Sequence, residues 1–233
     1  MKITKMHSVY QLAFMPRLFP VNCYLVEEET SLTLIDAAMP YSAKSIIQSA
    51  RKIGKPITNI IITHAHADHV GALDILKEIL PEAQVSISSR DSLLLRGDTT
   101  IHPDEKNFPI RGGVPKNIKT RPDILLHEGE RIGSLEVIHS PGHTPGSISL
   151  LDTRNRSLIV GDAFQTRGGI AVSGVVKPLF PFPALATWDK ETALISARKL
   201  VGCQPSLLAA GHGKMIGHPI ELMKKAIDHA EMK

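Results

Sequence analysis

The chain has 233 residues, of which 42% are hydrophobic and 21% charged, and its formal net charge at pH 7 is +4. This length and balance allow a full buried core, so we expect residues 1–233 to form a single domain. The basic residues are dispersed, which argues against a nucleic-acid partner, and no apolar run approaches the roughly 18 residues needed to cross a bilayer. With two cysteines and no signal-peptide pattern, the sequence predicts a cytoplasmic protein without a membrane partner, and it leaves the oligomeric state open.

Strand-like and helix-like segments alternate along the chain. An acidic turn joins two apolar runs, which predicts a hairpin over 21–26 and 32–35. An amphipathic helix is predicted over 42–53, with Gly54 as its C-cap. The remaining predicted elements are a helix over 72–80, a strand over 85–88, a helix over 188–201 capped by Thr187, and a last helix from Pro219 to about residue 232. This order is typical of mixed sheets flanked by helices.

A dense cluster of metal-binding residue types follows the apolar run 60–62. It contains His64, His66, Asp68 and His69 within one short segment. A β-branched run of this kind predicts a buried strand, so the cluster lies where a strand ends and a loop begins. Imidazole and carboxylate together suit divalent first-row metal ions. A purely structural cluster would cost desolvation and mutual repulsion, so the segment predicts a metal site.

Three further candidate ligands follow other strand-like runs. His143, Asp162 and His212 each come after an apolar segment and lie beside glycine. Glycine lets the backbone turn sharply and lets a ligand approach closely. Each residue alone is a weak signal, but their order after the histidine cluster makes coincidence a poor explanation.

In these motifs the chain resembles the metallo-β-lactamase fold superfamily. The resemblance rests on Asp36 after the run 32–35, on the His-x-His-x-Asp-His pattern, and on the three later ligands. It implies an α/β (α+β) fold of the four-layer αβ/βα sandwich type with a two-metal site at one edge of the sheets. It also implies roles: His64, His66 and His143 for the first metal, Asp68, His69 and His212 for the second, Asp162 as the bridge, and Asp36 as a supporting residue.

The resemblance further implies a hydrolase with two divalent ions per chain and a hydroxide between them, acting on a small-molecule substrate. Zinc is the expected ion, with manganese or iron as alternatives, because the ligands alone do not fix the metal. Asp68 is the expected catalytic carboxylate, since it could orient the nucleophile and pass a proton to the leaving group.

The ligand set favours some branches of the family over others. Asp162 stands where hydrolytic β-lactamases lack a carboxylate, which favours esterases, thioesterases, lactonases and phosphodiesterases. Gln165 occupies the position at which lactonases of the family have a tyrosine, and the short segment after His212 argues against a glutathione thioester. We expect an ester, thioester or lactone substrate, with a phosphodiesterase or an iron-dependent redox protein as alternatives.

Two long segments of low periodicity, 96–123 and 164–187, interrupt the regular pattern. Long loops in compact domains are uncommon unless they are functional or mobile, and the second begins just after Asp162. The sequence does not decide whether either segment closes over the site. The side chains predicted to form an apolar substrate wall are Phe14, Phe19, Phe164 and Phe182.

Overall fold

The structure is a computed structural model that describes residues 1–232, and within them it has fifteen strands and seven helices. The strands are β1 Lys2–Met6, β2 Val9–Phe14, β3 Val21–Glu27, β4 Leu32–Ile35, β5 Ile57–Ile62, β6 Gln84–Ser88, β7 Ile124–Leu126, β8 Arg131–Ile132, β9 Leu135–His139, β10 Ile148–Asp152, β11 Ser157–Ile159, β12 Phe164–Gln165, β13 Ala171–Val172, β14 Leu207–Ala209 and β15 Ile216–Gly217. The helices are α1 Ala43–Ile53, α2 Ala67–Val70, α3 Leu73–Ile79, α4 Asp91–Leu95, α5 Phe182–Leu185, α6 Lys190–Gly202 and α7 Ile220–Glu231.

The strands form two large sheets and one small one. The first sheet runs β1-β2-β3-β4-β5-β6-β7, antiparallel up to β4 and parallel from β4 to β7. The second runs β15-β14-β11-β10-β9-β8, and in it only β11 and β14 are parallel. Strands β12 and β13 pair separately as a short ribbon. The antiparallel pairing of β3 with β4 confirms the predicted hairpin.

Side-chain alternation along the strands divides the core into three parts. Ile60 and Ile62 of β5 belong to the core between the first sheet and helices α1, α3 and α4, while Ile61 belongs to the core between the two sheets. In the second sheet, Leu158 packs toward α6 and α7, and the adjacent Ile159 faces the first sheet. Successive strand side chains point to opposite faces, so each sheet covers a helical layer and the other sheet. The predicted four-layer sandwich is confirmed.

Of two helix boundaries predicted from the sequence, the end of α1 is confirmed and the start of α6 is not. Helix α1 ends as predicted at Gly54, which adopts φ +83° and donates its backbone N–H into the last turn. The prediction that Thr187 caps the next long helix is wrong. Helix α6 begins at Lys190 because the Asp189 side chain accepts the backbone N–H of Thr192 and so satisfies the first turn.

The parallel strand pairs bring the candidate ligands to two neighbouring edges. Strands β4 and β5 are parallel neighbours, so Asp36 lies beside the histidine cluster that follows β5. Strands β11 and β14 are likewise parallel, so Asp162 lies beside His212. Within residues 1–232, no helix is both long enough and apolar enough to cross a membrane.

Candidate metal centre

The seven side chains selected from the sequence as metal ligands lie together at the sheet edges. Six are almost fully buried, and the side chain of Asp68 is 27% exposed. Their nitrogen and oxygen atoms form three overlapping groups, each with all its atoms within 4.8 Å of one another. The groups are His64, His66 and His143; His64, His69 and Asp162; and Asp68, His69 and His212.

Asp162 lies between the ligands of the first and third groups. Its Oδ2 is 3.1 Å from His212 Nε2 and 3.4 Å from His143 Nε2, and its Oδ1 is 3.6 Å from His69 Nε2. Asp68 is placed more openly, with Oδ2 3.5 Å from His212 Nε2. The Asp162 carboxylate therefore contacts both ends of the cluster, and the Asp68 carboxylate lies on its solvent-facing side.

Asp36 orients the His69 ring directly and the His64 ring through Thr63. Its carboxylate accepts His69 Nδ1–H at 2.8 Å and the hydroxyl of Thr63 at 2.9 Å. Because that hydroxyl donates to Asp36, its oxygen is left to accept from His64 Nδ1 at 3.1 Å. In its neutral form each ring therefore carries its proton on Nδ1, and Nε2 is the atom that would face a metal ion.

Backbone carbonyls orient two more rings. His66 Nε2 donates to the carbonyl of Arg111 at 2.9 Å, and His212 Nδ1 donates to the carbonyl of Pro20 at 2.6 Å. A carbonyl can only accept, so the proton position on each neutral ring is determined. The inner nitrogen is Nδ1 for His66 and Nε2 for His212.

A chain of hydroxyls orients His143. Thr187 donates its hydroxyl to the carbonyl of Pro183 at 2.7 Å, so its oxygen accepts from Ser173 at 2.9 Å. The Ser173 oxygen then accepts from His143 Nδ1 at 3.0 Å. Thr187, which does not cap a helix, thus takes part in positioning this ring, and His143 Nε2 is left without a proton.

The inner nitrogens of His64, His66 and His143 have lone pairs and no protons to share. His66 Nδ1 and His143 Nε2 face each other at 3.0 Å, although the outer bonds place the proton of each ring on its other nitrogen. Three further buried atoms of the cluster, His64 Nε2, His69 Nε2 and Asp162 Oδ1, have no hydrogen-bond partner within residues 1–232. Converging lone pairs repel one another unless a cation lies among them. The residues present therefore fit a divalent metal ion.

Burial and neighbouring charge divide the histidines into two electrostatic classes. Burial and the neighbouring imidazoles hold the pKa of His64 well below its usual value, and burial does the same for His143. Burial also opposes protonation of His69, but Asp36, Asp162 and Asp68 outweigh it and raise the pKa of His69 to about 10. Asp162 is buried as well, yet its histidine neighbours hold its carboxyl pKa well below the usual range.

Asp91, which the sequence did not single out, joins two of the ligand loops. Its carboxylate accepts the backbone N–H of Ala65 at 2.9 Å, the hydroxyl of Thr144 at 2.8 Å and the backbone N–H of Gly146 at 2.9 Å. Ala65 lies between two ligands of the first group, and Thr144 follows His143, the third. Complete burial raises the pKa of Asp91 to about 6 in spite of these bonds. No local motif marks an aspartate at the start of a short helix as such a link.

A cleft of about 610 Å³ opens over the cluster. His66, Asp68, His143, Asp162 and His212 form its floor. Its walls are mostly apolar and come from the turn before β3, the turn before α1, the segment 112–113 and helix α5. The wall residues are Phe19, Met39, Pro40, Ala67, Gly112, Gly113, Phe182, Pro183, Leu185 and Ala186.

Two of the four phenylalanines expected in the substrate wall lie elsewhere. Phe19 and Phe182 line the cleft, with their ring centroids 5.0 Å apart. Phe164 is fully buried between the second sheet and helices α6 and α7, because β12 turns it away from the site. Phe14 is 4% exposed and packs in the core of the first sheet. The assignment of Phe14 and Phe164 to the wall was therefore wrong, and both are core residues.

Both irregular segments contribute to the site. The first, 96–123, supplies the Arg111 carbonyl and the two glycines of the wall. The second, 164–187, contains the ribbon β12–β13 and helix α5, and it supplies Ser173 and Thr187 behind His143. Gln165, at the position of the lactonase tyrosine, is buried, and its amide has no partner within the described residues.

Comparison with known families agrees with this architecture. The profile of the metallo-beta-lactamase superfamily matches residues 16–212, a span that contains every candidate ligand. The chain belongs to the metallo-beta-lactamase superfamily.

Three bacterial relatives share most of the chain. YobT of Bacillus subtilis (strain 168) is 59% identical over 231 residues, which cover 99% of both chains. The probable metallo-hydrolase YflN of the same organism is 34% identical, over 82% of this chain and 80% of its own. Hydroxyacylglutathione hydrolase GloC of Haemophilus influenzae is 29% identical, over 84% of this chain and 86% of its own.

A solved structure shows the same fold with metal bound. TTHA1623 in a di-iron-bound form superposes with a TM-score of 0.66 and is 26% identical. The match covers 91% of this chain and 96% of that one. Family and relatives support a metal-dependent hydrolase with a His/Asp centre.

Proposed function

We propose that the protein is a dinuclear metal-dependent hydrolase of an ester, thioester or lactone. The observation that carries the proposal is the cluster of buried imidazole nitrogens around the shared carboxylate of Asp162. His64, His66 and His143 would hold one ion, and Asp68, His69 and His212 the other. Asp162 contacts both groups and would bridge them. Zinc suits this nitrogen-rich set, and iron or manganese would also fit.

The side chains around the centre have two roles in the proposed reaction: one carries a proton, and the others hold the imidazoles in place. Two bound divalent ions would activate water and polarise the substrate oxygen. Asp68 is the one ligand carboxylate that is partly exposed to the cleft, so its free oxygen can hold the proton that the attacking water loses and return it to the leaving group. The outer hydrogen bonds keep the imidazoles in place, so no ring must reorient during the reaction.

The cleft favours carbonyl substrates with an apolar group. Phe19, Phe182 and Leu185 offer a surface that can bury an acyl chain at roughly 0.8 kcal/mol per CH₂. The similarity to GloC, a hydroxyacylglutathione hydrolase matched over 86% of its length, supports a thioester as one member of the class. A phosphodiesterase is the second candidate, because the same ligand set can polarise a phosphoryl oxygen.

A substrate panel tests the reaction class. We expect p-nitrophenyl esters, thioesters or lactones to be hydrolysed with a higher kcat/KM than bis-p-nitrophenyl phosphate. The activity should disappear with a chelator, return with added metal, and fall by orders of magnitude in Asp162→Ala. A higher rate on the phosphodiester than on every carbonyl substrate would replace this proposal with the phosphodiesterase.

The apolar wall predicts how the rate depends on the length of the acyl group. The value of kcat/KM should rise with acyl length, and Phe182→Ala should flatten that rise because it removes a ring from the wall. Phe108→Ala is the matched control, since Phe108 is 47% exposed and does not line this cleft. If the two variants respond to acyl length in the same way, Phe182 does not bind substrate.

A further inference from the structure

The two most exposed large apolar side chains of residues 1–231 lie next to the cleft mouth. Leu18 is 83% exposed and Leu179 is 81% exposed. Leu185, at 62%, and Phe182, at 51%, stand beside them on helix α5. Isolated exposed leucines are common on protein surfaces, but a group of large apolar side chains at one place marks a surface that binds something.

Direct contacts show that these side chains belong to one surface. The guanidinium of Arg167 donates to the carbonyl of Arg17 at 2.6 Å, which ties the tip of the Leu18 turn to the ribbon after β12. A Cβ atom on Gly168 would lie 3.2 Å from the Cβ of Leu179, so that residue lies against the same ribbon. The rings of Phe19 and Phe182, 5.0 Å apart, connect this surface to the cleft.

The segments around this surface carry charge of one sign. Residues 1–26, 106–122 and 165–188 contain no aspartate and no glutamate. Arg17, Arg167 and Lys177 stand among the exposed apolar side chains. Within residues 1–232, the carboxylates that line the cleft are those of the candidate ligands Asp68 and Asp162 alone. The surface therefore combines protruding apolar groups with unopposed positive charge.

We propose that this surface docks the protein on an anionic lipid bilayer. We call it the apolar rim and define it as Leu18, Leu179, Phe182 and Leu185 with their cations Arg17, Arg167 and Lys177. Shallow insertion of apolar side chains and attraction of basic groups to anionic headgroups are the two ingredients of interfacial binding. A docked rim would turn the cleft mouth toward the lipid.

A second copy of the chain fits the same surface less well. A two-fold interface would bring the rim of one copy against the rim of another, and the cations of each would meet cations. No acidic residue in the surrounding segments is available to pair with them. Anionic headgroups supply the missing charge.

The proposal departs from the sequence-based expectation of no membrane partner. That expectation rested on the lack of an apolar run long enough to cross a bilayer. Docking on a surface requires only a few protruding apolar side chains and local positive charge, and neither produces a spanning pattern. The proposal is also independent of the hydrolase function.

Vesicle co-sedimentation of the metal-loaded protein tests the proposal. Vesicles of phosphatidylcholine with an equal part of phosphatidylglycerol should bind it, and vesicles of phosphatidylcholine alone should bind it at least about tenfold less. Leu18→Ser with Leu179→Ser should weaken binding to the anionic vesicles at least about tenfold. Arg17→Gln and Lys177→Gln should each weaken it about fivefold, and added salt should weaken it further.

Matched control variants distinguish docking through the rim from nonspecific binding to vesicles. Ile195→Ser removes a side chain that is 63% exposed on helix α6, outside the rim, and should leave binding unchanged. Lys52→Gln removes an exposed cation of helix α1 and should also have no effect. Failure to bind anionic vesicles, or equal loss in Ile195→Ser and the rim variant, overturns the proposal. A concentration-dependent dimer that the double serine variant abolishes, without vesicle binding, would show that the rim pairs two copies instead.

Discussion

Asp91 is the clearest case of a residue whose role comes from its position between two loops. Its two oxygens accept three donors, one from the loop of His64 and His66 and two from the loop of His143. The carboxylate therefore sets the spacing between the ligands of the first group. A residue that holds ligand loops in this way acts on metal affinity through geometry, without contact to the metal.

We predict that Asp91→Asn lowers affinity for the metal of the first group about 10- to 100-fold. The amide would direct a donor at a backbone N–H and leave it unsatisfied, at a cost of about 1–3 kcal/mol. Asp152→Asn is the control, because Asp152 is equally buried but bonds to Ser8 and Arg154 away from the centre. Chelator competition and thermal unfolding should show similar loss of stability in both variants and loss of metal affinity only in Asp91→Asn. Equal metal affinities would reduce Asp91 to a stability role.

The two electrostatic classes of histidine predict that the two metals respond differently to pH. In the metal-free protein His69, with a pKa raised to about 10, holds a proton at neutral pH, and the pKa of His212 is also raised. Burial keeps the pKa of His64 and of His143 low, so those rings need not lose a proton before binding. Uptake of the second ion must therefore displace a proton, and uptake of the first need not.

Affinity for the second ion should rise about tenfold per unit between pH 7 and pH 9, where metal displaces the proton of His69. Affinity for the first ion should change much less over this interval. Titration of the metal-free protein with cobalt or zinc against a chelator, at several pH values, measures both slopes. If the affinities for the two ions changed equally with pH, the assignment of the extra proton to His69 would be wrong.

At the scale of elements, the loop before β7 reaches the centre at residues 111–113. The carbonyl of Arg111 accepts from His66, and Gly112 after it adopts φ +87°, a conformation that disfavours residues with a side chain. A Cβ atom on Gly112 would overlap the His66 ring, whereas one on Gly113 would make an ordinary contact of 3.7 Å with Ala67. The neighbouring glycines therefore have different steric roles.

Gly112→Ala should displace the loop, break the bond to His66 and weaken the first metal, while Gly113→Ala should leave it nearly unchanged. Metal content after dialysis against a weak chelator distinguishes the two variants. Circular dichroism should confirm that both are folded, since the loop lies outside the sheets. Full metal retention by Gly112→Ala would mean that the Arg111 carbonyl does not orient His66.

The elements also show what the sequence could and could not predict. The strand ends that carry the ligands were predictable because β-branched runs such as 60–62 and a following histidine are local signals. The partners of the outer ring nitrogens were not, because carbonyls such as those of Pro20 and Arg111 belong to every residue type. Phe164 was misassigned because its nearness to Asp162 in the chain says nothing of the direction in which β12 points it.

At the scale of the whole molecule, the centre joins the two halves of the sandwich. The first sheet supplies His64, His66, Asp68 and His69 from the end of β5. The second sheet supplies the other three ligands, from loops after β9, β11 and β14. Apolar side chains such as Ile61 and Ile159 fill the core between the sheets, and a few polar bonds also cross it, among them the Tyr24 hydroxyl that donates to the carbonyl of Ala210 at 2.6 Å. A shared ion would add a further polar tie at the open edge of the two sheets.

Metal removal should therefore lower the stability of the entire molecule in one cooperative transition. Metal at 1,000 times its dissociation constant stabilises the folded state by about 4 kcal/mol. For a chain of this size that corresponds to roughly 8–16 °C in Tm. Differential scanning calorimetry of metal-loaded and chelator-treated protein measures the shift, which should shrink in Asp162→Ala because that variant loses the carboxylate between both groups. A shift confined to a separate low-temperature transition, with the main transition unmoved, would show that the centre stabilises only its own loops and does not tie the two sheets together.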